Sequence, residues 1–134
     1  MDAVAQGQDF PTILVVEDDP LLQGIAEEAL DEGGFKFTTV GSAEEAMMLL
    51  KGRKTSYSAL LTDINLSGPL DGWEIARAAR EIDAAFPIIY MTGGAGEEWP
   101  SKGVPNSILL NKPFSPAQLV TAVSQLLNAA TPST

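Results

Sequence analysis

The sequence predicts an α/β fold built on one parallel sheet covered on both faces. Two observations carry that expectation. Five short runs of apolar or β-branched residues occur at intervals along the chain, and each is long enough for a strand and too short for a helix. Between them lie longer stretches whose apolar residues recur at helical spacing, and strands that alternate with helices build parallel sheets.

The five runs are TILVV (12–16), FKFTTV (35–40), SALLT (58–62), PIIYM (87–91) and SILL (107–110). The first helix is read from Leu22, Ile25, Ala26, Ala29 and Leu30, the second from Ala43, Ala46, Met47 and Leu50. Ile75, Ala79, Ile82 and Phe86 give a third, and Leu119, Val120, Val123, Leu126 and Leu127 the last, each an apolar stripe facing a core. Asp19 before Pro20, Ser42 with Glu45, Asp71 with Glu74 and Ser115 with Gln118 have the residue types and spacing of helix N-caps. Between strands 4 and 5 the stretch GGAGEEWPSKGVPN holds four glycines and two prolines, so a helix there is short or irregular. Right-handed crossovers then give a flavodoxin-like, doubly wound sheet in the order 2-1-3-4-5.

One domain is expected from 134 residues, a length that supports a single hydrophobic core. The boundaries read as a flexible segment at 1–10, the domain at 11–128 and a flexible tail at 129–134. Eight basic residues against 18 acidic ones leave a net charge of −10, a field that repels nucleic acid and anionic membrane. There are no cysteines, no leader-like N-terminus and no run of the length of a membrane span, which fits a cytoplasmic protein. No Walker-type or dinucleotide-binding glycine motif occurs, so ATP binding is not expected. Trp73 and Trp99 read as packing residues, and Met47 and Met48 as the core and rim of the second helix.

In such sheets the functional site lies beyond the carboxyl ends of the strands. Strand 1 runs into Glu17, Asp18 and Asp19, strand 3 into Asp63, strand 4 into Thr92, and strand 5 into Asn111, Lys112 and Pro113. With strand 3 central, Asp63 faces acids on one flank and a hydroxyl and an ammonium on the other. Three converging carboxylates raise one another's pKa unless a cation joins them, and an all-oxygen set suits Mg²⁺. A carboxylate is also a nucleophile toward phosphorus, giving an aspartyl phosphate, and Asp63 fits that role best. Asp19 reads as a helix cap only.

VVEDD at 15–19, TD at 62–63, MT at 91–92 and KPF at 112–114, in this order and spacing, resemble the receiver domain of two-component response regulators over about residues 12–128. The resemblance implies that Asp63 accepts a phosphoryl group from a phosphohistidine on a sensor histidine kinase or histidine phosphotransfer protein, and that the domain then switches its contacts with a downstream protein target. It implies Mg²⁺ held by Asp18 directly, by Glu17 largely through water, by Asp63 and by the backbone carbonyl of Asn65. Thr92 and Lys112 would contact phosphoryl oxygens, and the Lys112-Pro113 peptide bond would be cis. The implied domain is not an enzyme beyond its own phosphorylation and dephosphorylation. The sequence departs from the family pattern at Leu109, where an aromatic residue is usual, and at Ser67, where proline is common. Two other readings share much of this pattern. One is a receiver cut from a hybrid histidine kinase; the other is a Mg²⁺-dependent phosphohydrolase, whose second acid would stand where this chain has Asn65.

Overall fold

The computed structural model describes residues 11–52, 56–94 and 96–130. The expected flexible segment at 1–10 and the end of the tail at 131–134 lie outside them. Five parallel strands, β1 (Thr12–Val16), β2 (Lys36–Val40), β3 (Ala59–Asp63), β4 (Ile88–Thr92) and β5 (Ile108–Asn111), form one sheet in the order β2-β1-β3-β4-β5. Helices α1 (Pro20–Glu32), α2 (Ala43–Gly52), α3 (Gly72–Ile82) and α5 (Pro116–Ala130) connect or follow them. Between β4 and β5 a 3-10 turn at Gly96–Glu98 leads into a one-turn α4 (Trp99–Lys102), the short irregular helix that its glycines and prolines dictate.

The core divides by strand alternation. Leu14, Val16, Leu60, Ile88 and Tyr90 point to the face covered by α2 and α3. Ile13, Val15, Leu61, Ile89 and Met91 point to the face covered by α1 and α5. β3 and β4 are buried at every position, which is why their sequences are continuous apolar runs and do not alternate. Trp73 and Tyr90 pack with ring centroids 4.8 Å apart, and Trp99 lies against the same cluster. Both tryptophans are packing residues. Met48 is the exposed member of its pair.

The helix caps follow the expected chemistry. Asp19 accepts from the N–H of Leu21. Asp71 and Glu74 form a reciprocal box with two 3.0 Å bonds, and Ser115 and Gln118 form another with bonds of 2.7 and 3.1 Å. Ser42 Oγ accepts from the Glu45 N–H, while the Glu45 carboxylate accepts from the Gly41 N–H and from the Ser42 hydroxyl.

Three expectations need correction. β3, β4 and β5 each end one residue later than their apolar runs, because the ladder extends through Asp63, Thr92 and Asn111; the register pairs Asp63 with Met91 and Thr92 with Asn111. Phe86 is buried but is not part of α3. The helix stops at Ile82, where Asp83 turns extended and its side chain accepts from the Ala85 N–H, a local bond that competes with helix. At the other end, α5 continues through Ala130, past the expected boundary at 128. No helix among the described residues is long and apolar enough to cross a membrane.

The junction of β3 with α3 is tight. Gly72 donates its N–H to the carbonyl of Ile64 at 2.9 Å, and a Cβ on Gly72 would fall on the carbonyl oxygen of Asp63 and 2.8 Å from the Cα of Ile64. Backbone cannot yield as a flexible side chain does. Gly72→Ala is therefore expected to cost about 2–3 kcal/mol, the penalty of an overpacked site, measured by urea denaturation; a wild-type midpoint would show that the junction is looser than described.

Candidate functional site

Ladder positions bring the site together. β1 continues into Glu17, whose N–H still donates to the Val40 carbonyl at 3.1 Å, so its side chain stays buried beside the end of β3. Asp63, the last residue of β3, is 6% exposed, Glu17 is 1% exposed and Thr92 is fully buried. Asp18, one residue further on, is exposed. On the other flank the Lys112 N–H donates to the Thr92 carbonyl at 2.8 Å, extending β5 past its last strand residue, and the Lys112-Pro113 bond is cis.

Lys112 Nζ donates to Glu17 Oε1 and to Asp63 Oδ2, both at 3.1 Å. One ammonium thus joins side chains that are 95 and 49 residues away in the chain. At this separation each pair gains about 5 kcal/mol of Coulomb attraction at an effective dielectric of about 20, most of it offset by desolvation. Burial draws the Lys112 pKa down, yet the bonds to Glu17 and Asp63 outweigh it and hold the ammonium above its ordinary value. Glu17 moves the other way for a carboxylate. Burial raises its pKa, the Asp19 N–H pulls it back, and the Asp63 charge raises it again, for a net upward shift. Asp18 is held below its ordinary value, chiefly by the Ser67 hydroxyl.

One carboxylate oxygen from each of Glu17, Asp18 and Asp63 lies within 4.8 Å of the other two. Opposed oxygens around an octahedral Mg²⁺ are about 4.2 Å apart, twice the bond length of 2.0–2.1 Å. The donor set therefore fits a hard cation, with direct ligation by some of the acids and a water bridge or a small inward shift for another. Asn65 lies two residues past Asp63, with its N–H donating to Asp63 Oδ1 at 3.3 Å. Thr92 Oγ1 accepts from the Gly94 N–H at 3.1 Å. All six residues singled out from the sequence are thus at one end of the sheet, with Glu17, Asp18, Asp63 and Lys112 in a single cluster.

Two residues at the site went unread. Ser67 donates its N–H and its hydroxyl to Asp18 Oδ2, at 3.1 and 2.8 Å, across a 49-residue separation; a hydroxyl where proline is common was the available signal. Gly72 fixes the backbone that carries Asp63, and its place just after the Asp71 cap was the corresponding hint. Leu109 is half-buried against the α2/α3-side core. It lies beneath Gly96, where a Cβ would meet Leu109 Cδ2 at 3.3 Å, Asn111 Oδ1 at 3.5 Å and Thr92 Cγ2 at 3.8 Å.

These electrostatics make two predictions for the metal-free protein. Lys112→Ala leaves Glu17 and Asp63 facing each other without the shared cation, so stability at pH 7 is expected to fall by about 3 kcal/mol in chemical denaturation; a loss below about 1 kcal/mol would contradict the pairing. The pH profile follows from the shifts. Glu17, with a folded pKa raised above its ordinary 4.5, contributes stability that is present below 4.5 and lost as the pH rises through the folded value. The Asp18 contribution is lost only as the pH falls through a value below 3.8, and that of Lys112 only as it rises past 10.5. Acidification from pH 7 toward 4.5 is therefore expected to relieve a penalty specific to Glu17, and Glu17→Gln to flatten that part of the stability curve. An identical curve for the variant would place the titration elsewhere.

Comparison with known proteins gives the same picture from a different direction. A family model described as the response regulator receiver domain matches residues 13–124. The response regulator receiver protein CpdR of Brucella abortus is 34% identical over 120 residues, covering 88% of this chain and 98% of that protein. The crystal structure of a response regulator receiver protein from Sinorhizobium medicae superposes with a TM-score of 0.89 at 47% identity, covering 92% of this chain and 99% of the other. The receiver domain of sensor histidine kinase PA1611 from Pseudomonas aeruginosa, solved with a magnesium ion coordinated in its active-site cleft, superposes with a TM-score of 0.77 at 29% identity, covering 90% of this chain and 99% of that one. With its sheet order, its cluster of acids at the strand ends and the match over residues 13–124, the chain belongs to the response regulator receiver domain family of two-component systems.

Proposed function

We propose that the protein is a phosphoacceptor receiver in which Asp63 takes a phosphoryl group from a phosphohistidine. The observation that carries this reading is the buried Asp63 carboxylate at the end of the central strand, held by Lys112 and adjoining Glu17 and Asp18. The donor is a sensor histidine kinase or a histidine phosphotransfer protein, and the output is a changed contact with a downstream protein. The net charge of −10 disfavours nucleic acid as that partner.

Asp18 and Asp63, with Glu17 through water and the Asn65 carbonyl, are the groups that would hold Mg²⁺. Bound there, the ion supplies charge neutralisation for the phosphoryl oxygens and for the acids themselves. The chain's own residues do the rest. A carboxylate oxygen of Asp63 attacks phosphorus as the phosphorus–nitrogen bond to the imidazole breaks, and the bonding pair leaves with the ring nitrogen. Lys112 holds the Asp63 carboxylate in place before transfer, then moves its ammonium onto a phosphoryl oxygen. Thr92 turns its hydroxyl toward another. Hydrolysis of the same aspartyl phosphate by water returns the domain to its starting state, and no other substrate turnover is needed.

The PA1611 receiver is part of a sensor kinase, and the same site chemistry serves a receiver cut from a hybrid kinase. The phosphohydrolase reading has weaker support, since the residue two past Asp63 is Asn65, an amide that cannot protonate a leaving group.

Incubation with acetyl phosphate and Mg²⁺ is expected to add one phosphoryl group by intact-mass measurement, and Asp63→Asn to abolish the addition; undiminished labelling of the variant overturns the assignment. The switch is expected to fall on residues 93–106. When the Thr92 hydroxyl turns to the phosphoryl group, the Gly94 N–H loses its acceptor. Other ties of the segment include the Val104 N–H donating to the Tyr90 hydroxyl at 3.1 Å, the Trp99 indole donating to Ser107 at 3.0 Å and the burial of the Val104 side chain in the core. Leu109 is too short to follow Thr92 as an aromatic ring does. Amide exchange with and without Mg²⁺ and beryllofluoride, the latter standing in for the phosphoryl group, should differ most between Gly93 and Asn106. Equal exchange there, with a change on another face, would move the switch elsewhere.

A further inference from the structure

We propose that Ser67 is a positioning residue for the metal site, a latch that holds the Asp18 carboxylate toward Asp63 before the ion arrives. This inference rests on the reading of Asp18 as a Mg²⁺ ligand. Asp18 is the exposed member of the three acids. Glu17 is fixed by burial, by the Asp19 N–H at 3.1 Å and by Lys112, and Asp63 by its place in the ladder and by Lys112. An acid on the solvent side of two buried ones is pushed outward by their charge. Ser67 opposes that push with two bonds to one oxygen, from its N–H at 3.1 Å and its hydroxyl at 2.8 Å.

Geometry ties this latch to the rest of the ligand set. Ser67 lies on the loop that leaves β3, two residues after Asn65 and four after Asp63, and the Asp18–Ser67 bonds join this loop to the one that follows β1. The groups that would close on the ion therefore lie at the end of β3 and on the loops after β1 and β3, and these two loops are fastened to each other directly as well as through the sheet. The chain then reverses at Gly68, whose φ of +102° is in the region that favours glycine, and this turn presents both Ser67 donors to Asp18. A proline at this position has no N–H and no hydroxyl, so it makes neither bond. Both Ser67 bonds end on Asp18 Oδ2, which would leave Oδ1 for the metal and would fix the orientation of the carboxylate plane. Partners that orient a ligand in this way typically contribute 10–100-fold to metal affinity.

The test is calorimetric titration of the full chain with MgCl₂ at pH 7. Ser67→Ala, which removes the hydroxyl and keeps the N–H, is expected to weaken Mg²⁺ binding about tenfold, the lower end of that range. Ser67→Pro should weaken it at least as much, and Ser67→Thr, which restores the hydroxyl, should bind within about twofold of wild type. Because Ser67 is exposed, the variants are expected to fold, and far-ultraviolet circular dichroism checks this. An unchanged or tighter Mg²⁺ affinity in Ser67→Ala overturns the latch and leaves the phosphoacceptor reading intact. Weakened binding in Ser67→Ala that Ser67→Thr fails to restore also overturns it, since the hydroxyl would then not be the active group. Absence of Mg²⁺ binding by the wild-type protein overturns both.

Discussion

Lys112 donates to Glu17 and Asp63 at once, and the arrangement of the strand ends is organised around that shared ammonium. Two buried carboxylates at neighbouring strand ends would be untenable as a bare pair. The lysine reaches them because β5 extends past its last strand residue, through the Lys112 N–H bond to the Thr92 carbonyl, and because the sheet order puts β5 and β1 on opposite flanks of β3 and β4. The bond is therefore both a product of the topology and a constraint upon it. It also limits what the site can accept. A cation held by Glu17, Asp18 and Asp63 would relieve the same repulsion that Lys112 relieves, and would leave the ammonium available to an incoming anion. A site balanced in this way is suited to a ligand that brings both, a phosphoryl group with its divalent ion.

Much of this was legible in the sequence. Alternation of strand and helix patterns implies the sheet order, and the sheet order brings Glu17, Asp18, Asp63, Thr92 and Lys112 to one end. Those inferences succeed because periodicity and capping are local and strand order follows from few rules. What the sequence concealed depended on contacts between loops or on close approaches of backbone. Nothing local to Ser67 says that it meets Asp18, and nothing local to Gly72 says that its α-carbon sits against the backbone of Asp63 and Ile64. Phe86 was misread for a different reason: its spacing suits a helix, but an Asp83 side-chain bond ends α3 first. The balance of charge was also only half visible. Three converging acids were expected to raise one another's pKa, whereas Asp18 is the acid whose ionised form Ser67 supports, and Glu17 is the one disfavoured by burial.

The departure at Leu109 takes on a structural meaning in this setting. Leu109 packs under Gly96 beside Thr92 and Asn111, so the irregular segment rests directly on the strand ends that carry the site. Short helices with few buried side chains have little local stability, and among the described residues α4 and the turn before it bury none completely. Its polar anchors include the Tyr90 hydroxyl, the Trp99 indole, Ser107 and the Arg77 guanidinium on the Lys102 carbonyl, and Val104 is buried in the α2/α3-side core with Trp99 packed against it. Tyr90 is itself held by full burial and by Trp73. A change at Thr92 would thus have a short route to this segment without an aromatic ring at position 109.

The central claim is that Lys112 exchanges its two carboxylate partners for a phosphoryl oxygen while Asp63 becomes the acceptor. A crystal structure of the protein with Mg²⁺ and beryllofluoride tests it most directly. The account predicts beryllium bonded to an Asp63 carboxylate oxygen, Lys112 Nζ within hydrogen-bond distance of a fluorine, and the metal in contact with Asp18. Beryllofluoride bound at another side chain, or Lys112 still bridging Glu17 and Asp63 with the fluorines beyond its reach, would contradict it.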